Sequence, residues 1–91
     1  LNLEEIEIYL SKVNSWNLNN KKHIERKFFF NNYKESLQFI NLISEIAERE
    51  NHHPDISFGW GYAKISIYSH SLNGLHKNDF IFASKIDKIF K

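Results

Sequence analysis

DISFGWGYAKISI, residues 55–67, is the stretch that decides the fold. Ile56, Phe58 and Trp60 share one parity, and Ala63, Ile65 and Ile67 share another. Side chains alternate across a strand, so each run predicts a strand with one apolar face. Gly59 and Gly61 bracket the change of parity, which predicts a tight hairpin turn near Gly61-Tyr62.

Working backwards, Pro54 disfavours helix at His53 and leaves Asn51–Asp55 as a loop. Before it, a helix is predicted to run from Tyr33 to about Glu50. Its apolar stripe is Tyr33, Leu37, Ile40, Ile43, Ile46 and Ala47, with Ser36 and Phe39 at the margin. Asn32 followed three residues later by Glu35 resembles an Asn form of the capping box. Ile24, Arg26, Phe28 and Phe30 share a parity, so His23–Phe30 reads as a strand, and Ser15–Lys22 as a short strand with a turn. Leu3, Ile6, Leu10 and Val13 recur at helical steps, with Glu4 and Glu5 near the start where the helix dipole favours them.

Working forwards, Ser71–His76 contains Asn73-Gly74 and reads as a loop. A last helix over about Lys77–Phe90 is predicted to bury Phe82, Ala83, Ile86 and Phe90, with Asp79 in its first turn. The order is α-β-β-α-β-β-α. Hairpin connections imply an antiparallel sheet, and three amphipathic helices suffice to cover one of its faces. The expected fold class is therefore α+β, two-layered, with the other sheet face at least partly open.

Composition bounds the function. Ninety-one residues make one domain, 1–91, and a 42% hydrophobic, 15% aromatic chain can build an aromatic-rich core. A core this small favours oligomerisation. A net charge of +1 with interspersed signs gives no footprint for direct nucleic-acid binding. There is no cysteine, so disulfides and thiolate chemistry are excluded. No cationic-then-apolar leader and no run of membrane-spanning length is found, and a soluble cytoplasmic protein is expected.

The chemistry concentrates around Glu48, His52, His53, His70 and Asp79. Histidine is the side chain whose unperturbed pKa lies nearest physiological pH, which suits proton transfer. Taken alone, His52-His53 is a pair of exposed loop histidines at a helix end, Glu48 a solvated helix acid and Asp79 a routine first-turn acid. Glu48 lies one helical turn before His52, near enough to orient its ring. Three histidines and a carboxylate can hold zinc, but the chain lacks two histidines on one helix face, so no metal site is expected. No serine sits in a G-x-S-x-G elbow, and three glycines form no phosphate loop. Trp16 and Trp60 are predicted as core residues, with Trp16 also a weak candidate wall for a flat ligand. His23 and His76 show no partner in the sequence.

Taken together, Glu48-x3-His52-His53-Pro54, five residues to Trp60, nine more to His70 and eight more to Asp79 resemble the signature of pterin-4a-carbinolamine dehydratases. The resemblance extends over nearly the whole chain, through Trp16, the strand Ile24-x-Arg26-x-Phe28-x-Phe30, Tyr33, Phe39, Ala47-Glu48, Gly74-Leu75, Phe82-Ala83 and Ile86-Asp87. It departs at Trp60, usually Tyr, and at His76, where the family often has a Thr capping the last helix. The resemblance implies a four-stranded antiparallel sheet with helices on one face, associating as a homodimer or homotetramer. It implies loss of water from 4a-hydroxytetrahydrobiopterin to give quinonoid dihydrobiopterin, in tetrahydrobiopterin recycling, without metal or redox cofactor. His52, His53 and His70 would be the acid/base set, with His53 the most critical. Glu48 would tune His52, and Asp79 would hold His70 or its loop. Some animal members also act as dimerisation cofactors for a homeodomain transcription factor. A protein-binding coactivator role without required catalysis is thus the alternative.

Overall fold

A computed structural model describes residues 1–20, 22–69 and 74–90. The elements are α1 (Leu3–Leu10), β1 (Asn17–Asn19), β2 (His23–Phe29), α2 (Tyr33–Glu50), β3 (Asp55–Gly59), β4 (Tyr62–Ile67) and α3 (Lys77–Phe90), in the order the sequence predicts. The four strands form one sheet in the order β1-β2-β4-β3, with every pairing antiparallel. Two hairpins, β1-β2 and β3-β4, are joined through α2. The second hairpin folds back so that β4, not β3, lies against β2.

Register explains which face is buried. Ile24 pairs with Ile67, Arg26 with Ile65 and Phe28 with Ala63. The five apolar members of that set are fully or almost fully buried. The opposite parity carries Glu25, Lys27, Phe29, Lys64 and Ser66, with Phe29 68% exposed, so that face is open. Helices therefore cover one face: Phe39, Ile43, Ile46 and Ala47 of α2 and Phe80, Phe82, Ala83 and Ile86 of α3 complete the core. Phe28, Phe39 and Phe90 pack with ring centroids 4.7–5.8 Å apart, in tilted or edge arrangements that aromatic quadrupoles favour. Helix α1 joins this layer by stacking Tyr9 on Phe80 at 5.4 Å.

Arg26 sits on the buried parity, and its place is earned by Asp87 on α3. Asp87 Oδ1 accepts from Arg26 Nη1 at 2.7 Å and from Trp16 Nε1 at 2.8 Å, while Oδ2 accepts from the Asn14 backbone N–H at 2.9 Å. One carboxylate thus pins the α1–β1 connection, β2 and α3 together, and the guanidinium lies 4.3 Å from the Phe28 ring centroid.

Several local expectations need correction. The buried face of α2 is Ser36, Phe39, Ile43, Ile46 and Ala47, whereas Tyr33 and Leu37, placed in its stripe, are exposed. The helix is rotated toward Phe39, whose ring meets both Phe28 and Phe30. Helix α1 stops at Leu10, short of Val13, and buries only Ile6. Trp60, expected in the core, is 72% exposed because the hairpin turn is Trp60-Gly61, one residue earlier than predicted. Gly61 takes φ 77°, a left-handed conformation that glycine adopts without steric cost.

Candidate active site

The end of α2 sets the geometry of the two adjacent histidines. Asn32 begins the helix as predicted, its side chain accepting from the Glu35 backbone N–H at 2.8 Å. Glu35 reaches back to the Asn31 N–H, one residue outside the usual box. At the other end Asn51 adopts the left-handed conformation (φ 52°, ψ 44°), and the His52 N–H closes onto Ala47 O at 3.0 Å. This C-terminal cap turns the chain sharply, and Pro54 prevents any continuation.

The turn sends the histidines to different carboxylates. His52 Nε2 lies 2.7 Å from Asp79 Oδ1 on α3, and its ring meets the edge of Phe82 at 5.3 Å. The Nε2 atom is itself buried and is not aligned for a hydrogen bond, so the contact is chiefly electrostatic. His53 Nε2 instead falls back over Glu48 Oε2 at 2.5 Å, in a pair that is largely open to solvent. The Glu48–His53 pair corrects the sequence expectation that Glu48 would tune His52; Asp79 meets the preceding loop through Ser69, and the contact expected between Asp79 and His70 lies outside the described residues. The helical i, i+4 rule places Glu48 below His52 only while the helix continues, and the left-handed residue at Asn51 ends it first.

Asp79 is the most constrained member of the site. It has no exposed surface, and its Oδ2 accepts from the His76 backbone N–H at 2.7 Å and from Ser69 Oγ at 3.1 Å. The first of these bonds ties Asp79 back to the start of α3, where the helix dipole also favours a negative charge. His76, predicted to lack a partner, caps α3: its Nδ1 accepts from the Asn78 N–H at 3.2 Å. The cap that Thr would supply is therefore filled by an imidazole. His23, likewise unpartnered in the sequence reading, lies 3.6 Å from Glu25 and against Tyr68. Ser69 escaped the sequence reading. A lone serine carries no periodic or motif signal, and only its position beside Asp79 gives it a role.

A cleft of about 250 Å³ opens beside this corner, lined by Glu50, Asn51, His52, Asn78 and Ile81. The structure thus brings both His52 and Ser69 to Asp79, while His53 and Glu48 form a separate, solvent-open pair at the same turn. His70 lies outside the described residues. Trp16 is not brought to this corner: it is buried and bonded to Asp87, eight residues along α3 from Asp79, about 12 Å of helix rise. Among the described residues no group of three or more histidines and carboxylates is placed to hold a metal ion, and no helix is long and apolar enough to cross a membrane.

Two carboxylate–imidazole pairs at one turn are suited to moving protons, since imidazole can both give and accept a proton and each carboxylate can orient a ring. The family model described as pterin 4 alpha carbinolamine dehydratase matches residues 1–89. A relative from Azoarcus is 48% identical over 90 residues, covering 98% of this chain and 77% of its own length. Another, from Rubrobacter xylanophilus, is 43% identical over 86 residues, covering 94% of this chain and 80% of its own. Both carry the name pterin-4-alpha-carbinolamine dehydratase as a provisional assignment. The crystal structure of a transcriptional coactivator/pterin dehydratase from Brucella melitensis superposes with a TM-score of 0.94 at 24% identity, covering 100% of this chain and 98% of that one. A pterin dehydratase-like RuBisCO assembly factor of the alpha-carboxysome superposes with a TM-score of 0.72 at 24% identity, covering 84% and 89%. These two likenesses establish the fold. With the family match spanning residues 1–89 and relatives above 40% identity, the chain belongs to the pterin 4 alpha carbinolamine dehydratase family, a family of hydro-lyases.

Proposed function

We propose that this chain removes water from 4a-hydroxytetrahydrobiopterin by histidine acid/base catalysis, with His52, His53 and His70 as the proton-transferring set, in tetrahydrobiopterin recycling. The observation that carries the reading is the pairing of two adjacent histidines with two separate carboxylates, one of the histidines, His52, lining a cleft. Dehydration breaks the C4a–O bond and the N5–H bond. The leaving hydroxyl takes a proton and departs as water, and N5 gives up its proton as the C4a–N5 double bond forms. An imidazolium supplies the first proton and an imidazole accepts the second. No electrons are exchanged with a second reactant, so the reaction calls for no redox cofactor.

The geometry suggests how the rings divide. With Nε2 of His52 against Asp79 and Nε2 of His53 against Glu48, Nδ1 of each ring is left for the substrate. Asp79 is buried and His52 largely so, which makes that pair the fixed element. His53 is 55% exposed in its side chain and free to adjust to the ligand. The protein is further proposed to act in the cytoplasm as a homodimer or homotetramer, for which the exposed Tyr33, Leu37 and Leu42 of α2 offer apolar surface. The test is the decay of freshly generated 4a-carbinolamine followed by absorbance. Wild-type protein is expected to accelerate it, and His53→Ala to lose about 10²–10⁴-fold of that rate, the usual contribution of one acid/base group. A His53→Ala protein as fast as wild type removes His53 from the mechanism.

A further inference from the structure

A second groove, of about 280 Å³, runs between α1 and α3. Its floor is Tyr9, Val13, Phe80 and Ile81, and its rim carries Lys12, Lys77, Lys85 and Lys88, with no acidic residue among its lining. Four of the chain's twelve lysines and arginines therefore face one apolar trough in a protein of net charge +1. Lys85 is bonded to Glu50 and Lys12 lies 5.5 Å over the Tyr9 ring, whereas Lys77 and Lys88 make no ion pair among the described residues. Cations above low-dielectric walls focus a positive potential into such a groove.

The groove adjoins the His52 cleft across Ile81. Ile81 lines both, Lys77 of the groove adjoins Asn78 of the cleft, and Lys85 of the groove is bonded to Glu50 of the cleft. Lys77 and Lys85 stand four residues to either side of Ile81, on one face of α3. A substituent leaving the cleft over Ile81 therefore passes between them, and the positive charge of Lys77 is the one not already matched.

We propose that the site, besides turning over the neutral biopterin form, favours a pterin whose side chain carries an anion, a phosphate or a carboxylate, and that Lys77 receives it where the α1–α3 groove adjoins the cleft. The inference rests on the dehydratase reading and deepens it, making Lys77 a determinant of substrate specificity. The negative charge belongs to the side chain and takes no part in the loss of water, so its effect falls on KM.

The experiment compares three 4a-hydroxytetrahydropterins bearing a neutral methyl, a phosphorylated or a carboxylated C6 side chain. The expected result is a kcat/KM ratio of anionic to neutral substrate above one, weakening as salt is raised. It should fall by roughly two- to fivefold for Lys77→Ala, the range of exposed ion pairs, and by less for Lys88→Ala, roughly 16 Å of helix rise further along the groove. Lys77→Arg should preserve the ratio, as should Lys64→Ala on the open sheet face. The phosphate and carboxylate arms tell the two anions apart, and a preference for either supports the proposal. A ratio near one overturns it, as does an equal fall in Lys64→Ala or an acidic peptide that fills the groove without displacing pterin. Absence of turnover on all three substrates would sink the dehydratase reading alone. Binding of the oxidised forms of the same three pterins, read by their fluorescence, then decides the proposal by the same ratio and the same variants.

Discussion

Replacing Asp79 by Asn tests the corner of the site that the structure makes most specific. The carboxylate faces three groups at once: His52 Nε2 at 2.7 Å, the His76 N–H at 2.7 Å and Ser69 Oγ at 3.1 Å. Asparagine keeps the shape but has one acceptor oxygen and no charge, so one of these three loses its partner or meets an N–H. Removing the charge opposite a buried imidazole, like removing a polar contact to a charged group, costs on the order of 1.5–3 kcal/mol. If that amount is lost where His52 must carry a proton in the transition state, kcat/KM falls by about 10- to 100-fold. The same change weakens the start of α3, and about 1–3 kcal/mol of stability corresponds to a fall in Tm of roughly 5–20 °C for a domain of this size. Rates should therefore be measured well below the variant's own melting temperature, beside a thermal scan. Glu48→Gln is the natural contrast. Its pair with His53 is solvent-exposed, so its effect on stability should stay below about 0.5 kcal/mol. A folded Asp79→Asn protein with kcat/KM within twofold of wild type would refute the reasoning, reducing Asp79 to a helix cap.

Two further outcomes follow from the fold. Asp87→Ala strands the Arg26 guanidinium and the Trp16 and Asn14 N–H groups, and should cost about 3–5 kcal/mol in denaturant unfolding. The double variant Arg26→Met/Asp87→Leu should lose less than the sum of its single changes, because no buried charge is left unpaired. Gly61→Ala forces an alanine into φ 77° with its Cβ 3.1 Å from Phe30 O, and should destabilise by about 1–2 kcal/mol in the same measurement.

What could be read from the sequence was whatever follows from local periodicity. Strand parity placed Ile24, Phe28, Ala63, Ile65 and Ile67 on the buried face, and Asn32 with Glu35 marked the start of α2. Positions set by tertiary packing were less legible. Tyr33 and Leu37 fit the helical stripe of α2 as well as Phe39 does, and only the aromatic cluster around Phe28 decides which side turns inward. Trp60 was misplaced by a one-residue error in the turn, which is enough to reverse a side chain's face. At the site, Glu48, His52, His53 and Asp79 meet around one turn, but Glu48 pairs with His53 and not with His52. That pairing depends on a single left-handed residue, Asn51, whose conformation no periodicity encodes. Asp79 looked like a routine first-turn acid and does serve that role, yet burial and the approach of His52 give it a second one.

The central claim is that imidazoles carry the proton transfers of carbinolamine dehydration. Its most direct test is the first-order decay of 4a-hydroxytetrahydrobiopterin in the presence of wild-type protein and of a folded His52→Ala/His53→Ala/His70→Ala variant. The account expects rapid decay with wild type and a return to the uncatalysed rate with the triple variant. A triple variant that retains wild-type turnover, or a wild-type protein that leaves the uncatalysed rate unchanged, would contradict it.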